Sequence, residues 1–207
     1  MIFKRLYDLL QHYKKSFLKD EDENEAIIFE KEKIRHEIRT LKKNLTEEEK
    51  QESAEAVFLK IESSPEFIKA KTILLYWSMP DELPTHEFIR KWSHTKSMLL
   101  PVVKGHHMTI RPFSTEASLA KGDWSVMEPM TGNDYLKLVD LVIVPGVAFD
   151  RKKRRLGRGK GYYDRYFKNK KLEKWGICYD FQVYDNIPVA SFDITMNKII
   201  TPSEIIL

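Results

Sequence analysis

The 207-residue chain carries 35 Lys and Arg against 31 Asp and Glu, a net charge of +4, with 42% hydrophobic and 32% charged residues. That length supports one domain with a substantial core, or one domain with an appendage, and so modest a charge suits anionic small molecules without by itself indicating nucleic acid. No apolar run approaches membrane-spanning length, no signal-peptide core is visible, and the single Cys178 excludes an intrachain disulfide, which fits a reducing, cytoplasmic compartment.

In chain order, residues 1–20 place Ile2, Leu6, Leu9, Leu10, Tyr13 and Phe17 at helical spacing among lysines. This predicts an amphipathic helix that packs on the domain or on a neighbouring subunit. Asp8 and Asp20 interrupt its basic face, which argues against a membrane-surface role. The acidic run Asp20–Glu23 reads as an exposed junction, so residues 1–22 form a helical extension and 23–207 the main domain.

From Glu25 to Asn44, Ile27, Ile34, Ile38, Leu41 and Leu45 keep a 3.6-residue period, which predicts a helix with Lys31 and Arg35 on one face. By spacing alone that pair is a solvated charged face. Thr46 and Glu49 form a capping box for a second helix with Ala54, Val57, Phe58 and Ile61 inward, and Ser64-Pro65 closes it and starts another turn. Thr72–Trp77 reads as a strand leading into the acidic pair Asp81-Glu82, followed by a helix capped by Thr85 and carrying Phe88, Ile89 and Trp92. Ser97–Val103 reads as a strand and Met108–Phe113 as its hairpin partner. His94, His106 and His107 lack a Cys or acidic ligand set at zinc spacing.

The stretch Asp140–Tyr166 organises the rest. Leu141-Val142-Ile143-Val144 is short, apolar and mostly β-branched, as in a buried parallel strand, and Pro145-Gly146 ends it. A basic segment follows, from Arg151 to Lys160, with Gly157, Gly159 and Gly161 interleaved, before Tyr162–Phe167 opens a helix. A strand, a glycine-rich basic loop and a helix form a phosphate-binding arrangement: glycines let backbone N–H groups converge on an anion, and Arg and Lys neutralise it. The loop is neither a Walker A loop, since Gly161 follows Lys160 where Ser or Thr is needed, nor a dinucleotide loop, since Tyr162 stands at the last glycine position. Beyond it, Lys174–Tyr179 reads as a strand and Lys198–Thr201 as the last short one, with Cys178 in the core. Helices alternating with apolar strands give an α/β fold, a mainly parallel sheet covered on both faces.

Pro145-Gly146, Phe149-Asp150 and the block Arg155-Leu-Gly-Arg-Gly-Lys-Gly-Tyr-Tyr-Asp164 resemble the signature of the 5-formyltetrahydrofolate cyclo-ligase (methenyltetrahydrofolate synthetase) family, and the resemblance extends over about residues 31–201. It implies a three-layer α/β/α fold. It also implies an ATP- and magnesium-dependent ligase of one-carbon folate metabolism, which converts 5-formyltetrahydrofolate to 5,10-methenyltetrahydrofolate with release of ADP and phosphate. Carried over residue by residue, it implies that Lys31, Arg35 and the run Arg155, Leu156, Gly157, Arg158, Gly159, Lys160, Gly161, Tyr162 and Tyr163 contact ATP. Trp77, Glu82 and Tyr162 then face the folate, where a Glu82 carboxylate would accept the paired N–H donors of a pterin edge. Arg155, Arg158 and Lys160 act on the transferring phosphate, and Asp164 and Asp193 hold magnesium. Glu128 is a further candidate. The chain departs from the family pattern at Asn197 and Pro202, where acids are common, and Trp77 stands where the family often has an aliphatic residue. Expected partners are ATP and the folate alone, without nucleic acid or membrane, in a monomer or weak homodimer. The competing readings are a nucleic-acid module built on the same loop and a folate-binding regulator without catalysis.

Overall fold

A computed structural model describes residues 25–122, 126–190 and 193–207. The amphipathic segment expected over 1–22 lies outside them.

Helix α1 covers 25–42, the first part of the span expected to be helical. Its inward face is Ile34, Ile38 and Lys42, whereas Leu41, expected inside, is exposed. The stripe thus drifts by one residue at the last turn, where the long Lys42 stem is buried in place of a leucine. Helix α2 (Glu47–Glu62) begins as expected: the Thr46 hydroxyl accepts from Glu49 N at 3.1 Å and the Glu49 carboxylate accepts from Thr46 N at 2.8 Å. Such a box contributes about 1 kcal/mol. Helix α3 (Pro65–Lys69) is the extra turn that Ser64-Pro65 signals. Helix α4 (His86–Trp92) starts after Thr85, but that hydroxyl does not cap it. It donates instead to Tyr76 O at 2.7 Å, tying the helix start to the segment just beyond the preceding strand.

The central sheet has seven strands in the order β12-β11-β9-β6-β1-β2-β3. These are β1 (Thr72–Leu74), β2 (Ser97–Lys104), β3 (His107–Pro112), β6 (Leu141–Pro145), β9 (Lys174–Ile177), β11 (Lys198–Ile200) and β12 (Ile205–Ile206). The five inner strands run parallel, and both edge strands, β3 and β12, pair antiparallel. Two expectations shift. Strand β1 stops at Leu74, although Leu75 N still bonds Leu99 O, because the chain bends toward the acidic pair. The 198–201 strand is not the last, since β12 turns back on it.

Alternation along the strands produces the three layers. Ile73, Leu141 and Ile143 join α2, α3 and α4 in one core, while Leu74, Val142 and Val144 face the other side with Phe167 and Ile199. A pair β4 (Leu119–Lys121) and β5 (Met127–Pro129) forms its own two-stranded sheet against β2, where the Glu128 carboxylate accepts from Val103 N at 3.1 Å. A second small sheet, β10-β7-β8, comprises β7 (Ala148–Asp150), β8 (Arg155–Leu156) and β10 (Val183–Tyr184). Ile34 and Ile38 of α1 pack on it through Ala148, Leu156 and Ile187. Helix α5 (Tyr162–Phe167) follows the glycine-rich loop. Among the described residues no helix is long and apolar enough to cross a membrane.

Candidate active site

Strand order fixes where a ligand fits. From β1 the chain moves to β2 on one side and later returns to β6 on the other, so the order reverses between β1 and β6. Side chains and loops at the carboxyl ends of such a pair part to leave a crevice. A cavity of about 350 Å³ lies there, large enough for a small organic ligand. Tyr76 and Trp77 just beyond β1, and Pro145 and Gly146 at the end of β6, form its floor. The hairpin residues Pro101, Val103 and Met108 and the carboxylate-bearing Glu128 form one wall; Arg155, Gly157, Arg158 and Lys160–Tyr163 form the other.

The basic segment divides into two parts. Asp150, fully buried, accepts from Lys152 N and Arg154 N on one oxygen and from Arg154 Nε and Ile187 N on the other, at 2.6–3.0 Å. Burial alone would raise its carboxyl pKa; the Arg154 side chain and the amide donors outweigh that and hold it below the usual range. This knot forces the turn that returns the chain as β8. Arg155 and Leu156, expected in the loop, are therefore strand residues. The Leu156 side chain is core beneath α1 and leaves only its backbone for any ligand. Arg155 is buried as well: Nη2 donates to Asp164 at 2.8 Å, Nη1 to Pro145 O at 3.3 Å, and the guanidinium lies 5.4 Å from the Tyr163 ring centre. Its buried Nε–H has no acceptor among the described residues, on a side chain that lines the cavity.

The true loop is Gly157–Gly161, exposed at Arg158, Gly159 and Lys160. Gly159 and Gly161 take φ of +92° and +65°, which other residues rarely adopt. Helix α5 has only 6 residues, so its macrodipole adds less than the sequence suggests. Arg35 supports the loop from below, with Nε donating to Gly157 O at 2.9 Å.

Arg158 turns back across the cavity mouth. Its Nη2 donates to both oxygens of Asp81 at 2.7 and 2.9 Å and to Glu82 Oε1 at 3.1 Å. The other Glu82 oxygen accepts from Met79 N at 3.0 Å. Burial would raise the Asp81 carboxyl, but the Arg158 hydrogen bond and charge hold it low. Lys42 feels the same cluster; burial pushes its ammonium pKa down, partly offset by Asp81. Trp77 stacks on His86 with ring centres 4.2 Å apart and on Phe113 at 5.7 Å, presenting an aromatic floor. Burial also pushes the Tyr163 hydroxyl well above its usual range, so it stays a neutral donor.

Lys31 and Asp193, 162 positions apart, form an ion pair at 2.5 Å. Asp193 Oδ2 also accepts from Ala190 N at 2.8 Å. Ile194 N donates to Asp164 at 3.3 Å, which brings the backbone next to Asp193 against Asp164. Both are hard oxygen donors of the kind magnesium takes, and each now carries a cationic partner, Arg155 or Lys31. No cluster of three His, Cys, Asp or Glu suited to a metal occurs among the described residues, and Cys178 is buried with its thiol pushed up by burial.

The structure thus gathers Trp77, Glu82, Arg155, Arg158, Lys160, Tyr162 and Tyr163 around one cavity, with Lys31, Arg35, Asp164 and Asp193 beside the loop that bounds it. Residues left out by sequence reasoning are Asp81, treated as loop acidity, and Lys42. A signal existed for Lys42: it follows Arg35 by seven positions and so shares the face of Lys31 and Arg35.

A family model described as the 5-formyltetrahydrofolate cyclo-ligase family matches residues 27–202. The 5-formyltetrahydrofolate cyclo-ligase of Escherichia coli K12 is 30% identical over 178 residues, spanning 81% of this chain and 98% of that one. A probable 5-formyltetrahydrofolate cyclo-ligase of Schizosaccharomyces pombe is 33% identical over 167 residues, 69% of this chain and 80% of that one. Among solved structures, the NMR structure of Aquifex aeolicus 5,10-methenyltetrahydrofolate synthetase superposes with a TM-score of 0.77 at 35% identity, over 84% of this chain and 91% of that one.

Proposed function

Because this chain belongs to the 5-formyltetrahydrofolate cyclo-ligase family, we propose that it converts 5-formyltetrahydrofolate to 5,10-methenyltetrahydrofolate and splits ATP to ADP and phosphate in doing so. The observation that carries this reading is the cavity at the strand-order reversal, bounded on one wall by the glycine-rich basic loop and reached by Glu82. One wall suits phosphates and the opposite floor suits a flat heterocycle. A bare phosphate loop would explain only the first.

The formyl group is amide-like, and its oxygen is a poor leaving group. Transfer of the γ-phosphoryl group to that oxygen forms an O–P bond, breaks the γ-phosphorus bond to ADP and gives an imidate-like phosphate. N10 of the same molecule then attacks the formyl carbon. The C–O bond breaks, phosphate leaves with the former formyl oxygen, and N10 gives up its proton. The protein contributes alignment and charge. Lys160 and the Gly157–Gly161 amides receive the phosphates. The buried Nε–H of Arg155 offers a fixed donor at the cavity wall. Arg158 exchanges Glu82 for phosphate oxygens, which leaves Glu82 Oε1 to accept from the pterin while Trp77 and Tyr162 pack against it. Asp164 and Asp193 would hold magnesium arriving with the nucleotide, which would lower the charge on the phosphates. The cytoplasm is the compartment that goes with this reading.

A nucleic-acid module fits less well. Arg154 and Arg155 are turned inward onto Asp150 and Asp164, and the exposed Arg158 is paired with Asp81, so the three do not form an open basic surface. The decisive assay mixes the purified protein with ATP, magnesium and 5-formyltetrahydrofolate and omits each in turn. Methenyltetrahydrofolate absorbance should appear only in the complete mixture. Folate binding with no turnover would support a regulator instead.

A further inference from the structure

Arg165 follows the signature block and does not itself line the cavity. Its guanidinium nevertheless joins the two walls. Nη1 donates to Lys160 O at 2.8 Å, and Nε and Nη2 donate to His106 O at 3.3 and 3.1 Å. His106 is in the two-residue turn between β2 and β3, whose Val103 and Met108 line the cavity. The neighbouring Tyr162 repeats the link, donating its hydroxyl to Gly105 O at 2.8 Å, and the Arg165 guanidinium lies 5.1 Å from the Tyr162 ring centre.

The Lys160 contact has a consequence for the loop. A trans peptide is planar, with its C=O and N–H pointing in opposite directions. Holding Lys160 O on Arg165 therefore turns the Gly161 N–H of that same peptide away from Arg165. Lys160 and Gly161 both line the cavity, so the peptide whose orientation Arg165 holds belongs to the cavity wall. Gly161 is suited to this twice over. Its φ is +65°, and a Cβ there would meet Arg165 Nη1 at 2.8 Å.

We propose that Arg165 is a positioning residue: it fixes the Lys160–Gly161 peptide so that the Gly161 amide is preset as a phosphate donor, and it ties that setting to the β2–β3 turn. The inference rests on the reading of the cavity as a nucleotide and folate site. An amide already oriented loses no entropy when phosphate arrives, so the effect falls on nucleotide binding.

The test uses calorimetric titration of the full chain with inorganic tripolyphosphate, with a non-hydrolysable ATP analogue and, separately, with 5-formyltetrahydrofolate. Arg165→Ala should bind tripolyphosphate and the analogue about tenfold more weakly, about 1.4 kcal/mol. Its folate affinity should be unchanged. In amide NMR, the Gly161 signal should shift with tripolyphosphate in the wild type and not in the variant. Arg165→Lys keeps a charge that reaches one carbonyl but not both, so it should fall between, and it serves as the test should the alanine variant not fold. Equal tripolyphosphate binding by wild type and both variants overturns the role of Arg165 alone, and so does a parallel loss of folate affinity. Failure of the wild type to bind either polyphosphate overturns the nucleotide-site reading together with it.

Discussion

The two halves of the signature block sit side by side and behave differently. Arg155-Leu156 is a buried strand, pinned by Asp164 from above and by the α1 packing below. Gly157–Gly161 is an open turn in which Arg158, Gly159 and Lys160 are exposed. Arg155 and Arg158, three residues apart, illustrate the split. One has a side chain 5% exposed and a fixed carboxylate partner; the other is 44% exposed and reaches across the cavity mouth to a pair of acids. The difference teaches that a basic, glycine-rich motif need not be a uniform phosphate cradle. Its first half is held in the fold and lines the site from there, and its second half is the exposed part of the motif.

Breaking the scaffold half should therefore harm folding, and breaking the loop half should harm only chemistry. The largest effect is expected from Arg155→Ala, which leaves the Asp164 carboxylate, little exposed, without its cation. Removing one member of a buried pair costs about 3–5 kcal/mol, so urea unfolding should show a loss of that size, with turnover abolished as well. A loss under about 1 kcal/mol would mean that Arg155 belongs with the loop.

Asp150→Asn comes next. An amide cannot accept at both ends, so either Lys152 N and Arg154 N or Arg154 Nε and Ile187 N lose their acceptor, at about 2–3 kcal/mol. Its sign with pH is also fixed. The folded carboxyl is held below its ordinary value, so its stabilisation is present above about pH 4 and disappears as pH falls through the lower, folded pKa. Unfolding free energy measured down the acid limb should flatten in the variant relative to wild type. Parallel limbs would show that Asp150 is not a source of acid sensitivity.

Lys160→Ala should reverse the pattern. Stability should stay within about 0.5 kcal/mol, as for exposed positions. Single-turnover phosphoryl transfer should fall about a hundredfold, or about 2.7 kcal/mol. Unchanged transfer in the folded variant would remove Lys160 from the mechanism. The smallest effect is expected where α1 touches the loop. Lys31→Ala combined with Arg35→Ala removes the support of Gly157 O and the cation at Asp193. The apparent constant for ATP should rise about tenfold and that for the folate much less. Equal shifts in both would point to a general loosening of α1.

Much of this contrast follows from whether the information is local. The β6 run, the β2–β3 hairpin, the Thr46–Glu49 box and the inward face of α2 are legible because each is set by neighbours in sequence. The partition of the motif is not, because β8 exists only through pairing with β7 and the Asp150 knot, and β7 in turn pairs with β10, 34 positions beyond Phe149. The same holds for β12 and for Lys42, whose burial depends on what α1 meets. At the site, the residue types and the place of the glycine-rich loop after the β6 strand were legible. The Lys31–Asp193 pair and the Arg158 bridge to Asp81 were not, since nothing in either segment marks its partner.

In the proposed reaction the formyl oxygen meets the γ-phosphate in the cavity and leaves as part of the released phosphate. Turnover of 5-formyltetrahydrofolate labelled with ¹⁸O in the formyl group, with mass analysis of the released phosphate, tests it directly. One labelled oxygen is expected in each phosphate formed, in step with methenyltetrahydrofolate. Label released to water, with unlabelled phosphate, would contradict it.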